Sequence, residues 1–148
     1  MAIDHILKLY AETIRSPYLH YGFWDEPEIV NADSLSIDDI AKAQRRYIQH
    51  LTSFIPKDVR SILDVGCGVG GNAAYLQERG FDLDVLSPDT YQEEVIKEKF
   101  NGAMQFFKSK FENFETDRTY DLILESESAC YIKIEPGFTS ARKALRTG

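Results

Sequence analysis

Glycines at every second position, placed directly after a short apolar run, are the part of the sequence best suited to chemistry. The run carries one acid, Asp64, and the glycines are Gly66, Gly68 and Gly70. A glycine adopts positive φ easily and lets a ligand approach the backbone, and a helix that starts after such a turn presents unpaired N–H groups. Asp64 adds a negative charge beside the turn. The pattern therefore predicts a strand, a turn and a helix that bind a ligand with a nucleoside-like body and a cationic end.

The string "ILDVGCGVGG" resembles motif I of the class I S-adenosylmethionine-dependent methyltransferases. This resemblance implies that Asp64, Gly66, Gly68 and Gly70 hold the methionine end of the methyl donor. Cys67 lies inside the turn, where the donor needs only a small neighbour, so we expect it to contact the cofactor and to have no nucleophilic role. The alternative is that the glycines only permit close packing between a strand and a helix.

The elements around this turn alternate between strands and helices. Strands are predicted at residues 61–65, 81–86, 104–108 and 120–124, and helices at residues 3–14, 36–55, 72–79, 88–100 and from about 136. Such alternation gives right-handed βαβ units, so the fold class is α/β, a Rossmann-like doubly wound parallel sheet in the order 3-2-1-4. Ligands of these sheets bind beyond the carboxyl ends of the strands.

The second strand departs from the common family pattern at its end. Most members have an acid there that binds both ribose hydroxyls, and Ser87 occupies the position. Asp89 is a second candidate for the ribose. "VLSPDTYQ" is also similar to a segment of cyclopropane-fatty-acid synthases and mycolic-acid methyltransferases, in which a threonine and a glutamine contact the donor. Ser87 and Gln92 match those two positions, and Ser87 is also predicted to cap the next helix, with Pro88 at its first position.

The adenine-binding acid that the family carries after the third strand is missing as well. Phe111 is predicted to stack on the adenine and Glu112 to accept a hydrogen bond from its amino group. After the fourth strand, "YDLILESESACYI" resembles a family segment whose Glu-Ser pair matches Glu127 and Ser128. Cys130 replaces a glutamate that cyclopropane synthases use to bind a bicarbonate base, which favours simple methyl transfer over cyclopropanation.

Four side chains are candidates for a general base, should the methyl acceptor need to lose a proton. They are, in order of preference, Glu127, Glu125, His20 and Tyr131. Glu127 and His20 are predicted to be catalytic, and Glu125 to belong to the cofactor site. Glu125 and Glu127 are expected to share one face by the two-residue period of the fourth strand. The alternative for both acids is capping and solvation at a strand end.

The N-terminal part of the sequence is predicted to be a helical cap of residues 1–59 on a donor-binding core of residues 60–148. Its aromatic loop is residues 18–24. The string "LHYGFWD", residues 19–25, resembles the segment of tocopherol-type methyltransferases that covers the donor and shapes the acceptor pocket. The alternative is a satellite hydrophobic cluster. "ARKALRTG" resembles the family segment that precedes strand five, so the chain is expected to stop before it. Strand four would then be an edge that pairs with a second copy, as a homodimer, or is covered by a terminus.

Composition excludes several classes of protein. The net charge of −7 argues against a nucleic-acid partner, and no apolar run is long enough to span a membrane. The N-terminus has no basic segment ahead of an apolar one, the two cysteines suggest no disulfide framework, and the histidines lack metal-ligand spacing. A cytoplasmic enzyme without a metal is expected.

The predicted function is S-adenosylmethionine-dependent methyl transfer to a small-molecule acceptor. The alternative is a catalytically incomplete domain that binds S-adenosylmethionine or S-adenosylhomocysteine without turnover. A nicotinamide-dependent oxidoreductase ranks last, because it requires an acid where Ser87 stands and has no special need for Asp64.

Overall fold

A parallel four-stranded sheet carries the glycine turn at the carboxyl end of its first strand. The computed structural model describes residues 3–147. The strand order is β3-β2-β1-β4, which confirms the predicted α/β fold and its order. The strands are β1 (Ser61–Val65), β2 (Asp82–Leu86), β3 (Phe106–Phe107) and β4 (Leu122–Leu124). The helices are α1 (His5–Ile14), α2 (Ile37–Thr52), α3 (Gly71–Gln77), α4 (Thr90–Phe100) and α5 (Ile134–Ala144).

Strand β1 lies between β2 and β4, and all five of its residues are buried. In the register of the sheet, Asp64 stands opposite Val85 of β2 and Leu124 of β4. A strand paired on both sides and covered on both faces reads as a continuous apolar run, which explains the composition of this segment. The register brings the residues that follow β1, β2 and β4 to one edge of the sheet.

The two faces of the sheet bury different clusters, as the two-residue period of a strand requires. Leu63 and Val65 pack on one face, and Ile62 packs on the other. The first cluster is completed by Leu86, Phe111, Phe114, Tyr120 and Ala144, and the second by Val59, Leu76, Leu83 and Leu124. Helix α5 therefore closes the first face.

Two details of the predicted helices are wrong. The N-cap of α4 is Asp89 and not Ser87, because the Asp89 carboxylate accepts the N–H of Gln92 while the Ser87 hydroxyl accepts the N–H of Asp89. Helix α5 begins at Ile134, ahead of the predicted start. It buries Gly137, Ser140 and Ala144, whereas Phe138 is 72% exposed.

The N-terminal segment is attached to the rest of the chain through α2. Ser36 and Asp39 form a capping box at the start of this helix. Gln44 of α2 is fully buried, donates to the carbonyl oxygens of Tyr18 and His20, and accepts from the Ser16 hydroxyl. This amide fixes the start of the aromatic loop, residues 18–24. In contrast, α1 has no buried residue.

Strand β4 is an edge of the sheet, as predicted. The segment after α5 covers its first position through an isolated parallel bridge between Tyr120 and Leu145. The N–H of Tyr120 donates to Ala144 and the N–H of Arg146 donates to Tyr120, each at 2.9 Å. Within residues 3–147, no strand pairs with the outer side of Leu122–Leu124. Residues 144–146 therefore cover only the start of this edge.

Candidate functional site

A cleft of about 1170 Å³ lies over the carboxyl edge of the sheet. Ligand pockets commonly measure about 300–1,000 Å³, so this cleft has room for two small molecules side by side. Its walls come from α1, the aromatic loop, the glycine turn, the start of α4, and the segments that follow β3 and β4. The lining residues include Ile6, Leu7, Tyr10, Tyr18, Leu19, His20, Tyr21, Gly66, Cys67, Gly68, Asn72, Ser87, Asp89, Gln92, Phe111, Glu112, Ser126, Glu127, Ser128 and Tyr131.

The glycines of the turn have different tasks. Gly66 and Gly68 line the cleft, and Gly66 has φ of +77°. A β-carbon at Gly66 would overlap the β-carbon of Ser128, so glycine is needed there for space as well as for conformation. Gly70 does not line the cleft. It is the N-cap of α3, and a β-carbon there would lie 2.5 Å from Ile96 of α4, so it serves close packing between helices.

Asp64 lies beneath the turn and is 1% exposed. Its Oδ2 atom has no hydrogen-bond partner in the described part of the chain, and burial raises the pKa of the carboxyl to about 7. The side chain does not line the cleft. Within residues 3–147 it is therefore a buried acid whose Oδ2 is unpaired, and a cation bound above the turn would favour its ionised form.

Cys67 lines the cleft between two glycines. Burial is the main reason that the pKa of its thiol is raised well above the ordinary value, and the nearby Asp64 carboxyl adds to the effect. The thiol is consequently neutral and a poor nucleophile, in line with the small, inert neighbour expected from the sequence.

The three candidates for the ribose meet at one corner of the cleft, but their free hydrogen-bonding groups differ. Asp89 Oδ1 accepts the N–H of Gln92, and Oδ2 accepts the N–H of Asp4 at 2.6 Å, so both oxygens are in use. Ser87 accepts from Asp89. Gln92 is buried, and its Oε1 has no partner among the described residues. Gln92 is thus the member of the three with a vacant acceptor.

The two candidates for the adenine lie in a short helical turn after β3. Phe111 is buried in the sheet core, where its ring stacks on Phe114, and it also lines the cleft. Glu112 Oε1 accepts the N–H of Lys133 at 3.2 Å. Hydrogen bonds from its own backbone and from that of Lys133 lower the pKa of Glu112, so it stays a carboxylate and can accept from a ligand.

The acids after β4 do not share a strand face, and this prediction is wrong. The strand ends at Leu124, and Glu125 to Glu127 enter a turn in which Glu127 has φ of +58°. Glu127 lines the cleft and its Oε2 accepts the N–H of Tyr21 at 3.0 Å. Glu125 is half-buried outside the lining of the cleft, where desolvation raises its pKa.

His20 lies in the wall of the cleft with both ring nitrogens engaged. Nδ1 is 2.7 Å from the carbonyl oxygen of Tyr21, to which it must donate, and Nε2 is 3.0 Å from Asn72 Oδ1. The ring also packs against Tyr18 and Tyr47. The contact with Asn72 joins the aromatic loop to α3, and the packing on Tyr47 joins it to α2. Tyr131, the last candidate base, lines the cleft and is highly exposed.

Sequence reasoning missed two polar residues of the cleft. Ser126 Oγ is buried without a partner among the described residues, and Asn72 binds His20 from the first turn of α3. Ser126 had a usable signal, because it follows β4 at the edge where the other site residues were placed. Asn72 had none, since its role depends on a histidine 52 positions away.

Two classes of feature are absent from the described residues. No group of three or more His, Cys, Asp or Glu side chains in residues 3–147 is arranged to hold a metal ion. Among the same residues, every helix is too short or too polar to cross a membrane.

A family model described as a methyltransferase domain matches residues 40–147. The chain is 35% identical over 74 residues to a probable chloroplastic tocopherol O-methyltransferase of Oryza sativa subsp. japonica, an alignment that covers 46% of this chain and 19% of that protein. It is 30% identical over 88 residues to a ubiquinone biosynthesis O-methyltransferase of Rickettsia akari, covering 57% and 33%.

Solved structures share the fold. The StiE O-methyltransferase domain superposes with a TM-score of 0.70 at 21% identity, over 88% of this chain and 54% of that one. A putative sarcosine dimethylglycine methyltransferase from Galdieria sulphuraria gives a TM-score of 0.69 at 21% identity, over 97% and 56%. The chain thus spans about half the length of these structures and less of the curated relatives. Because the family model matches well over half of the chain, the chain belongs to the methyltransferase domain family, which confirms the class I S-adenosylmethionine-dependent methyltransferases predicted from motif I.

Proposed function

We propose that the cleft binds S-adenosylmethionine and that the protein transfers its methyl group to a small-molecule acceptor. The observation that carries this proposal is the glycine turn at the carboxyl end of β1, which opens onto a cleft with a buried acid below it. Gln92 Oε1 and Ser126 Oγ, from two residues that line this cleft, have no hydrogen-bond partner within residues 3–147. The two relatives described above are named O-methyltransferases. Their names support a small-molecule acceptor and oxygen as its reacting atom.

Each predicted site residue has a proposed role in binding the donor. Gly66, Cys67 and Gly68 contact the methionine end, Asp64 attracts its cationic groups from below, and Gly70 shapes the turn by packing. Gln92 and Ser87 bind the ribose, and Asp89 does so by exchanging its bond to Asp4. Phe111 and Glu112 hold the adenine. Glu125, outside the cleft lining, contributes only its charge.

The chain's main chemical task is to align two reactants and exclude water. When bound, S-adenosylmethionine supplies a methyl group activated by a sulfonium, so an in-line displacement by the acceptor's oxygen completes the transfer. Alignment of reactants alone lowers such barriers by about 7–11 kcal/mol in favourable cases. Apolar side chains of α1 and the aromatic loop line the same cleft as the turn, where they can hold the acceptor next to the donor.

Proton removal from the acceptor is proposed for Glu127, with His20 as the second candidate. Glu127 Oε2 is used by Tyr21, and Oε1 has no hydrogen-bond partner among the described residues, which leaves it available to accept a proton. Both ring nitrogens of His20 are already engaged, so it must break a bond first. For this reason we rank Glu127 above His20.

The second candidate function is donor binding without turnover. Its support is the altered ribose site. Ser87 replaces the acid that usually binds the ribose, and both oxygens of Asp89 already accept hydrogen bonds within the protein. Because the chain spans about half the length of the solved structures, the activity of those proteins is proposed for it and does not follow from the fold.

Titration with S-adenosylhomocysteine, followed by transfer from methyl-labelled donor to a panel of phenols and hydroquinones, tests both candidates. We expect binding at least about tenfold tighter than that of NADH, a difference of about 1.4 kcal/mol, together with labelled product. Binding of S-adenosylhomocysteine without labelled product from any panel member would favour the second candidate. Tighter binding of NADH would contradict both.

The setting of the reaction is also proposed. Both cysteines are free, which is ordinary in a reducing compartment and supports a cytoplasmic location. The net charge of −7 supports partners other than nucleic acid. In the described part of the chain no strand pairs with the outer side of Leu122–Leu124, so we propose it as the contact of a homodimer.

A further inference from the structure

The Glu127 carboxylate joins two segments that are far apart in sequence. Its Oε2 accepts the N–H of Tyr21, which lies 106 positions earlier, at 3.0 Å. Glu127 stands in the turn after β4, and Tyr21 stands in the aromatic loop ahead of α2. Both line the cleft. The hydrogen bond therefore connects the loop to the sheet edge beside the proposed donor site.

The aromatic loop is anchored on both sides of Tyr21, at its start by Gln44 and after it by the N–H of Phe23, which donates to Ala43 at 2.9 Å. Buried Gln44 binds the carbonyl oxygens of Tyr18 and His20, and the His20 ring binds Asn72. The Tyr21 side chain is 82% exposed and takes no part in the core. Its N–H donates across to Glu127. Loss of this bond would free Tyr21, at the tip of the loop, while the anchors at His20 and Phe23 stay in place.

The backbone of Glu127 is held in a conformation that L-residues seldom adopt. Its φ of +58° belongs to the left-handed region, where glycine, asparagine and aspartate are the usual residues. Such strain persists where surrounding contacts impose it, and it accumulates at switches and ligand clamps. Two contacts hold this turn: the Glu127 side chain accepts the N–H of Tyr21, and the hydroxyl of the next residue, Ser128, donates to Val65.

We propose that Glu127 is a latch, a positioning residue whose Oε2 holds the aromatic loop closed over the cleft. This rests on the proposed function, because the closed loop would retain S-adenosylmethionine or its product and exclude water from the transfer. The latch uses one carboxylate oxygen, and proton acceptance would use the other. The two roles can therefore be separated by substitution.

Three variants separate the latch from base catalysis and from simple loss of charge. Glu127→Ala removes the acceptor, Glu127→Gln keeps an amide oxygen that can accept the same N–H, and Glu98→Ala removes an exposed carboxylate from α4 as a matched control. The first readout is hydrogen exchange of the Tyr21 amide in the ligand-free protein. The second is the dissociation rate of S-adenosylhomocysteine.

In Glu127→Ala we expect both the exchange and the dissociation to be about tenfold faster, as loss of one hydrogen bond implies. In Glu127→Gln and Glu98→Ala both rates should stay within about twofold of the wild type. If Glu127→Ala does not fold, Glu127→Gly should, because glycine accepts the φ of this position, and it should show the same increases.

Equal Tyr21 exchange in the wild type and Glu127→Ala would overturn the latch, as would an unchanged dissociation rate. Equal acceleration in Glu127→Gln and Glu127→Ala would also overturn it, because the amide retains the acceptor. Failure of the wild type to bind S-adenosylhomocysteine would instead refute the proposed function, and the exchange comparison would still decide the latch.

Discussion

Gly66→Ala is expected to weaken S-adenosylhomocysteine binding about a hundredfold and to lower the free energy of unfolding by about 3 kcal/mol. Two effects add. An L-residue at φ of +77° is strained by about 1–2 kcal/mol, and the new β-carbon overlaps that of Ser128. Ser128 cannot retreat freely, because its hydroxyl donates to Val65 at 2.5 Å. Gly66 in turn donates to Leu86 at 2.8 Å, so displacement of the turn disturbs the edge that forms the site.

Gly80→Ala is the matched control for this prediction. Gly80 has φ of +83°, but a β-carbon there would meet no atom within 4 Å. It should therefore show only the conformational cost, about 1–2 kcal/mol, with affinity for S-adenosylhomocysteine within about twofold of the wild type. Urea unfolding and calorimetric titration of both variants provide the comparison. Equal affinity in Gly66→Ala and Gly80→Ala would show that the turn does not form the binding site.

Asp64→Asn is expected to remove a fall in stability that the wild type shows as the pH rises. The pKa of Asp64 is raised by burial from 3.8 to about 7 in the folded chain. Between these values the folded chain binds more protons than the unfolded chain, so the free energy of unfolding decreases with rising pH. The decrease amounts to at most about 4 kcal/mol, at 1.36 kcal/mol for each pKa unit. An uncharged asparagine has no such dependence.

The same substitution should weaken binding of the donor. A cation bound above the turn stabilises the ionised Asp64 beneath it, and we expect Asp64→Asn to lose about tenfold in affinity for S-adenosylmethionine at pH 8. Asp58→Asn removes the same charge from an exposed position and serves as the control. Urea unfolding from pH 4.5 to 8 and donor titration at pH 8 supply the data. Parallel pH curves for the wild type and Asp64→Asn would refute the electrostatic role.

The fold was predictable because its signals are local. A five-residue apolar strand followed by alternating glycines specifies the β1 turn and α3, and the alternation of elements then leads to the sheet order. The capping of α4 was not predictable to the residue. Both Ser87 and Asp89 are good caps, and the choice depends on which side chain reaches the N–H of Gln92.

The candidate site was predictable in position and less so in detail. The carboxyl ends of the strands identify the edge, but β4 ends at Leu124 and the acids after it lie in a turn whose Glu127 contacts Tyr21, far away in sequence. In this turn Glu127 lines the cleft and Glu125 does not. Similarly, no local pattern shows that the buried amide of Gln44 holds the aromatic loop. The division into a cap of residues 1–59 and a core of residues 60–148 stays a prediction.

The central claim is that S-adenosylmethionine binds over the β1 turn, and the most direct measurement is an amide NMR map of the 16.9 kDa protein during titration with S-adenosylhomocysteine. The account predicts that the largest shift changes fall on Gly66, Gly68, Ser87 and Gln92, with smaller ones at Tyr21. Gly80, at the far end of α3, should not shift. If the amides of Gly66 and Gly68 did not shift at saturating ligand, or if the shift changes were confined to residues outside the cleft, the claim that the donor binds over the β1 turn would be contradicted.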